Sequence, residues 1–330
     1  MEQQINRRRF LGLLPALAVS ATAPEMASAA VTKGYPDKPI RVVVPFPAGS
    51  GTDESARYVA QSITMQTSQS VVVENRPGAN GFIAAKAVAT AQGDGYTMLI
   101  TTNTTHAANA SLFKKLPYDP IKDFAPVSLI AKSGLVLVVP SDSPVRTVAD
   151  LTALARQRQG KLTFGSGSSS TRIASELYKI MSGAPALHVP YKGVPQALTD
   201  LMGHQIDFMI SDISPARPLI QAGKLRAIAV TTAQRHPLFK DVPTMDESGL
   251  PGYELTAWVA AFFPAGTPTS VVDQMSGFIQ QAMGSSAAAE HFGKTGGQPL
   301  SSTPEELAAF VRNETAKWAK TIKAAGIEPE

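Results

Sequence analysis

The chain has 330 residues, 44% of them apolar and 17% charged, with a formal charge of +4 and no cysteine. This size and balance fit about two packed domains and lie far from the composition of disorder. The missing cysteines exclude disulfides, thiolate metal sites, a cysteine nucleophile and a lipoprotein anchor. With no long basic run, nucleic acid is not the expected partner.

The N-terminus reads as an export signal. Asn6-Arg7-Arg8-Arg9-Phe10-Leu11-Gly12 precedes a short apolar stretch, Leu13 to Ala23, and Ala27-Ser28-Ala29 supplies an A-x-A cleavage site. The apolar part is too short to span a membrane. Paired arginines ahead of Phe-Leu resemble a twin-arginine signal. A soluble periplasmic protein starting near Ala30 is expected, with residues 1–29 outside the fold.

Ile40 to Val44 is a β-branched run fit for a buried strand, stopped by Pro45 and Pro47. Gly49-Ser50-Gly51 then permits a tight turn, and Thr52 and Asp53 are cap residues for a helix running through Ile63. Such a strand, turn and helix start gathers free N–H groups and a positive dipole end, a seat for a carboxylate. A plain βα turn has the same spacing, and no G-x-G-x-x-G is present.

Val71 to Glu74 is a second strand, Asn75 to Gly81 a turn, and Ile83 to Thr90 a helix. After Asp94-Gly95, the strand Tyr96 to Ile100 ends in a hydroxyl cluster, Thr101-Thr102-Asn103-Thr104-Thr105. Alternation at this spacing predicts βαβ units and a mostly parallel sheet, with ligands at the carboxyl ends of its strands.

Two apolar runs, Phe124 to Ala131 and Leu135 to Val139, are separated by Lys132-Ser133-Gly134, a strand broken where the chain could first pass between domains. A helix is expected over Asp150 to Arg156 and a strand over Lys161 to Phe164. Gly165-Ser166-Gly167-Ser168-Ser169-Ser170-Thr171 then leads into a helix from Arg172 to Met181, repeating the first Gly/Ser turn. Leu187 to Gly193 is strand then turn, Ala197 to Met202 a helix, and Ile206 to Ile210 a strand followed by Ser211-Asp212. Lys224 to Thr231 is a further strand. The apolar Thr256 to Phe263 run could return the chain, and helices Val271 to Met283 and Pro304 to Ala324, joined by a Gly-rich segment from Phe292 to Pro299, finish it.

Catalytic constellations are weak. Gly165 to Ser169 is not G-x-S-x-G, so its serines read as hydrogen-bond donors. The histidines show no metal-ligand spacing, and Trp258 and Trp318 read as packing residues. No metal or cofactor is expected. A binding protein is favoured over an enzyme.

Val44 to Asp53, Val73 to Gly81, Asp94-Gly95-Tyr96-Thr97, Leu116 to Pro120, Val189-Pro190-Tyr191-Lys192-Gly193, Ala222 to Val230 and Pro264 to Pro268 together resemble the signature blocks of one family. It is the periplasmic solute-binding proteins of tripartite tricarboxylate transporters, the Bordetella-uptake-gene family. The resemblance runs in order from about Tyr35 to the C-terminus.

The resemblance implies a two-lobed α/β Venus-flytrap fold of type II, each lobe a mostly parallel sheet flanked by helices. Residues 34–131 with 257–330 would form one lobe and 132–256 the other. It implies a non-enzymatic receptor, expected as a monomer, that holds a small carboxylate through loop amides, hydroxyls and waters and delivers it to transporter membrane components. Position by position it implies contacts from Phe46, Gly49, Ser50, Thr52 and Asp53, with Thr102 and Thr104 beside them. In the second lobe it implies Ser166, Ser168, Ser169, Ser170 and Thr171, with Ser211 and Asp212 toward the ligand's far end.

The chain departs from many relatives in a Gly/Ser loop about two residues shorter, in Arg172 where a histidine is common, and in Ser211-Asp212 where an Asp-Asn-like pair is common. A sensor signalling to a membrane kinase fits the same sequence. A hydrolase using Ser166 to Ser170 is the remaining alternative.

Overall fold

The computed structural model describes residues 34–330; the expected export signal lies outside them. Strand β1 (Ile40–Val44) pairs in parallel with β2 (Val71–Asn75) on one side and β3 (Thr97–Thr102) on the other, aligning Val42 with Val73 and with Met98. Antiparallel β9 (Thr256–Pro264) lies beyond β3, followed by the first half of β4 (Phe124–Pro140) and by β10 (Gly297–Pro299).

Alternation along β1 fills both faces of this sheet. Val42 and Val44 pack with Val59 and Ile63 of α1 (Gly51–Thr67) and Ile279 of α8 (Thr269–Met283). Val43 joins the opposite core, with Ala85 of α2 (Phe82–Ala89) and Val311 of α10 (Pro304–Ala324). Each valine so buried contributes roughly 1.5–3 kcal/mol relative to exposure.

The far half of β4 leaves that sheet and builds another. It pairs antiparallel with β7 (Met209–Asp212) and β8 (Leu225–Val230). A bridge between Phe164 and Phe208 brings in β5 (Thr163–Ser166), which pairs in parallel with β6 (Leu187–Pro190). Val136 and Val138 face α6 (Val194–Met202) and α7 (Ile213–Gln221), while Leu135 and Leu137 face α5 (Ser169–Ser182).

The expected break at Lys132-Ser133-Gly134 is absent: β4 runs through it unbroken. Gly134 has no side chain, which lets the Thr232 methyl lie against the strand. The chain returns at Leu255–Thr256. Leu255 N donates to Thr231 O at 3.0 Å, and Thr231 N donates to Leu135 O at 2.9 Å, tying both passages together.

Other elements differ from expectation. The strand expected over Ile206 to Ile210 occupies Met209–Asp212, so Ser211 and Asp212 form its end rather than follow it. The Asp207 carboxylate instead accepts from Thr163 N (2.7 Å) and Oγ1 (3.0 Å). Between α8 and α10 lie helix α9 (Ser286–Thr295), capped by Ser285 Oγ on Ala288 N, and strand β10. Part of the Thr101–Thr105 hydroxyl cluster winds into a π-helical turn, Thr104–Ala108.

Candidate functional site

The Gly/Ser turns after β1 and β5 lie on one cavity. Its wall includes Phe46, Ser50, Gly51 and Thr52 from the first turn, Gly167, Ser168 and Ser170 from the second, and Thr102 from the end of β3. The space between the walls, mouth included, is about 690 Å³. About 60 Å³ is open to a water centre.

Each helix start is built by its own cap. Ser50 Oγ accepts from Asp53 N at 3.3 Å, and Glu54 N donates to Ser50 O. Ser168 and Thr171 form a reciprocal capping box. A helix start leaves its first N–H groups without intrahelical partners, so Gly51, Thr52 and Ser170 bring amide hydrogens to the cavity wall.

The turn after β5 is also tied to the segment that follows β3. Asn103 Nδ2 donates to Ser170 Oγ at 2.9 Å, Ser169 N to Thr104 Oγ1 at 3.3 Å, and Ser169 Oγ to Asn109 Oδ1 at 3.4 Å.

Of the residues singled out by sequence, Phe46, Ser50, Thr52, Thr102, Ser168, Ser170 and Asp212 line the cavity. The others stand behind it. Gly49, with φ of +78°, donates its N–H to Asp53 Oδ2 at 3.0 Å; the buried Asp53 also accepts from Asn75 Nδ2 (2.8 Å) and Arg57 Nε (3.0 Å). Thr104 and Ser169 tie the segment after β3 to the start of α5, and Thr171 serves the α5 cap. Ser211 Oγ donates to Asp212 O at 3.0 Å.

Ser166 Oγ and His188 Nε2 are 2.7 Å apart, the one Ser–His pairing in the expected cluster. His188 is held down to about 4, first by burial and then by Arg172 and Lys179. No carboxylate among the described residues bonds its other ring nitrogen, and Ser166 is absent from the cavity wall. The pair lacks the orienting acid of a hydrolytic triad.

Sequence reasoning missed several wall residues. Glu54 accepts from Ser214 Oγ, joining α1 to α7 across the cavity, and its Oε1 lies 3.8 Å from His291 Nε2. Trp258, expected only to pack, is buried and also lines the wall, as do Ser133, Val194, Phe292 and Thr295. These residues meet only through the tertiary fold; no local pattern in the chain marks them.

The sequence matches the family described as "Tripartite tricarboxylate transporter family receptor" (TctC) over residues 55–327. Among solved structures it is similar to an R. palustris protein determined with adipate, at 38% identity and a TM-score of 0.88, covering 90% of this chain and 100% of that one. The periplasmic binding protein BugD is 33% identical, with a TM-score of 0.86 and the same coverages. MatC from Rhodopseudomonas palustris with bound malate is 30% identical, with a TM-score of 0.81, covering 87% and 100%. With its α/β periplasmic-binding-protein fold, the chain belongs to the TctC/Bug family of solute-binding receptors of tripartite tricarboxylate transporters, a family of binding proteins.

Proposed function

We propose that this protein captures a small organic carboxylate in the cavity between its two Gly/Ser turns and delivers it to the membrane components of a tripartite tricarboxylate transporter. The observation that carries this reading is the convergence of the α1 and α5 N-termini, with the hydroxyls of Ser50, Thr52, Thr102 and Ser170, on one small cavity. Adipate and malate in the related structures support the ligand class.

Residues 34–131 with 257–330 and residues 132–256 act as two lobes hinged at β4 and the Leu255–Thr256 passage. The ligand's bonds to both lobes favour the shut form. The Asp53, Thr104, Ser169 and Thr171 side chains, with Gly49, Ser166 and Ser211, act by holding the turns in shape.

Calorimetry with mono-, di- and tricarboxylates tests the reading. Thr52→Val and Ser170→Ala should each weaken the best ligand roughly tenfold or more, the cost of a lost hydrogen bond to a charged group. Wild-type affinity in both variants would remove the site. Closure has its own test. A Cβ at Gly193 would overlap the Pro47 ring across the cleft. Gly193→Ala should weaken binding roughly tenfold, about 1.4 kcal/mol, with little change in the melting temperature of the unliganded protein. An unchanged Kd would count against closure through these turns.

Residues 1–29 direct export through the twin-arginine route in this reading, so a strain lacking that translocase should retain the precursor in the cytoplasm. Loss of carboxylate uptake on deletion of the gene separates transport from sensing.

A further inference from the structure

The cavity wall carries ionisable groups that a carboxylate ligand must face: Glu54, Lys132 and Asp212. The Lys132 ammonium stands 4.8 Å from the centroid of the Phe310 ring, and Phe310 is not part of the wall. The Glu54 carboxylate is already engaged by Ser214 and lies near His291.

Asp212 differs from both. It occupies the N-cap position of α7, where an aspartate usually accepts from the N–H of the second or third helical residue. The second residue of α7, Ser214, offers an N–H and the third, Pro215, has none; Asp212 makes no side-chain capping bond to either. No donor among the described residues bonds its carboxylate. The side chain is partly exposed, and the cavity is where it lies exposed. Burial pushes its carboxyl up to about 6, so it is ionised at pH 8. An ionised carboxylate only accepts hydrogen bonds, and it repels a second carboxylate in a poorly solvated space.

We infer that Asp212 receives a hydrogen-bond donor on the ligand. The molecule bound here carries one carboxylate, held at the α1 and α5 helix starts, and an ammonium or hydroxyl group at its other end. This rests on the carboxylate reading above and narrows it, setting the ligand apart from a doubly ionised dicarboxylate. The specificity comes from an acceptor that its own helix leaves unused.

The test is calorimetry at pH 8 on the mature protein and on Asp212→Asn. The probes are matched by length: succinate, 4-aminobutanoate and 4-hydroxybutanoate; adipate, 6-aminohexanoate and 6-hydroxyhexanoate. For wild type, the amino or hydroxy acid of at least one length should bind at least tenfold tighter than its dicarboxylate. In Asp212→Asn that ratio should shrink at least tenfold, and the amino and hydroxy arms show which donor is preferred. Dicarboxylates binding wild type as tightly as both partners would overturn the inference, as would an unchanged ratio in the variant. If a dicarboxylate binds best and Thr52→Val weakens it, the carboxylate site stands and only the Asp212 assignment falls. If no probe binds, both fall. The wild-type preference stands as a test even should the variant fold poorly.

Discussion

Trp258→Ala is expected to lower the unfolding free energy by about 3–5 kcal/mol, the range for emptying a buried aromatic site. The indole is 1% exposed and meets the Phe310 ring edge-on at 5.5 Å between centroids. Its Nε1 donates to Glu314 Oε2 at 3.0 Å. Trp258 also sits on β9 opposite Lys132 of β4, beside one of the two passages between sheets. Urea titration should show the loss, and ligand binding should fall with it because the same side chain forms cavity wall. Trp258→Phe separates the contributions. It keeps most of the packing and gives up one hydrogen bond to a charged group, for about 1.5–3 kcal/mol. A fully stable alanine variant would mean that the wall collapses without cost.

Asp53→Ala should cost about 2–3 kcal/mol, through the buried amide partners it leaves behind. Little of this comes from Arg57, whose side chain is 54% exposed and well solvated. Burial opposes ionisation of Asp53, but hydrogen bonds from Arg57, Asn75 and Gly49 outweigh it and hold the carboxyl below its ordinary value. The folded state therefore binds this proton less readily than the unfolded chain. The contribution is complete above the unfolded value, near about pH 4, and fades as the pH falls through the folded one. The stability gap between wild type and Asp53→Ala should be full at pH 7 and smaller at pH 3, as read by urea titrations at both. A gap that widens in acid would reverse this assignment.

The Gly/Ser turns could be read from the chain because their signals are local. A β-branched run, a proline stop, glycines and a hydroxyl cap lie within about a dozen residues of β1 and α1. The β5–α5 unit repeats them with Ser168 and Thr171. The unbroken course of β4 was hidden because a glycine in a strand usually marks a break or a bulge. Here Gly134 instead admits Thr232, a residue almost a hundred positions later. Helix α7 escaped notice because Pro215 and Pro218 argue against a helix. Yet Pro215 falls in the first turn, where a missing N–H forfeits no intrahelical bond.

The site was legible in type more than in detail. Caps and hydroxyl runs marked the helix starts, though the pattern placed the α1 cap at Thr52 or Asp53 where the structure has Ser50, and the family resemblance named Ser50, Thr52 and Ser170 as contacts. Whether a given side chain faces the cavity or braces the turn depends on which partners reach it. Asp53 turns inward because Asn75, some twenty residues later, waits there with an amide. Glu54 and Trp258 reach the wall only once α7 and α10 have been placed.

Trp258 and Trp318 are the chain's two tryptophans, and both donate to the same oxygen of Glu314, at 3.0 and 3.1 Å. One carboxylate thus sets the electrostatic surroundings of every indole in the molecule, and one of those indoles borders the cavity. The unmodified protein therefore carries its own optical gauge. Its ultraviolet emission should shift when a ligand fills the chamber beside Trp258, with no dye or label attached.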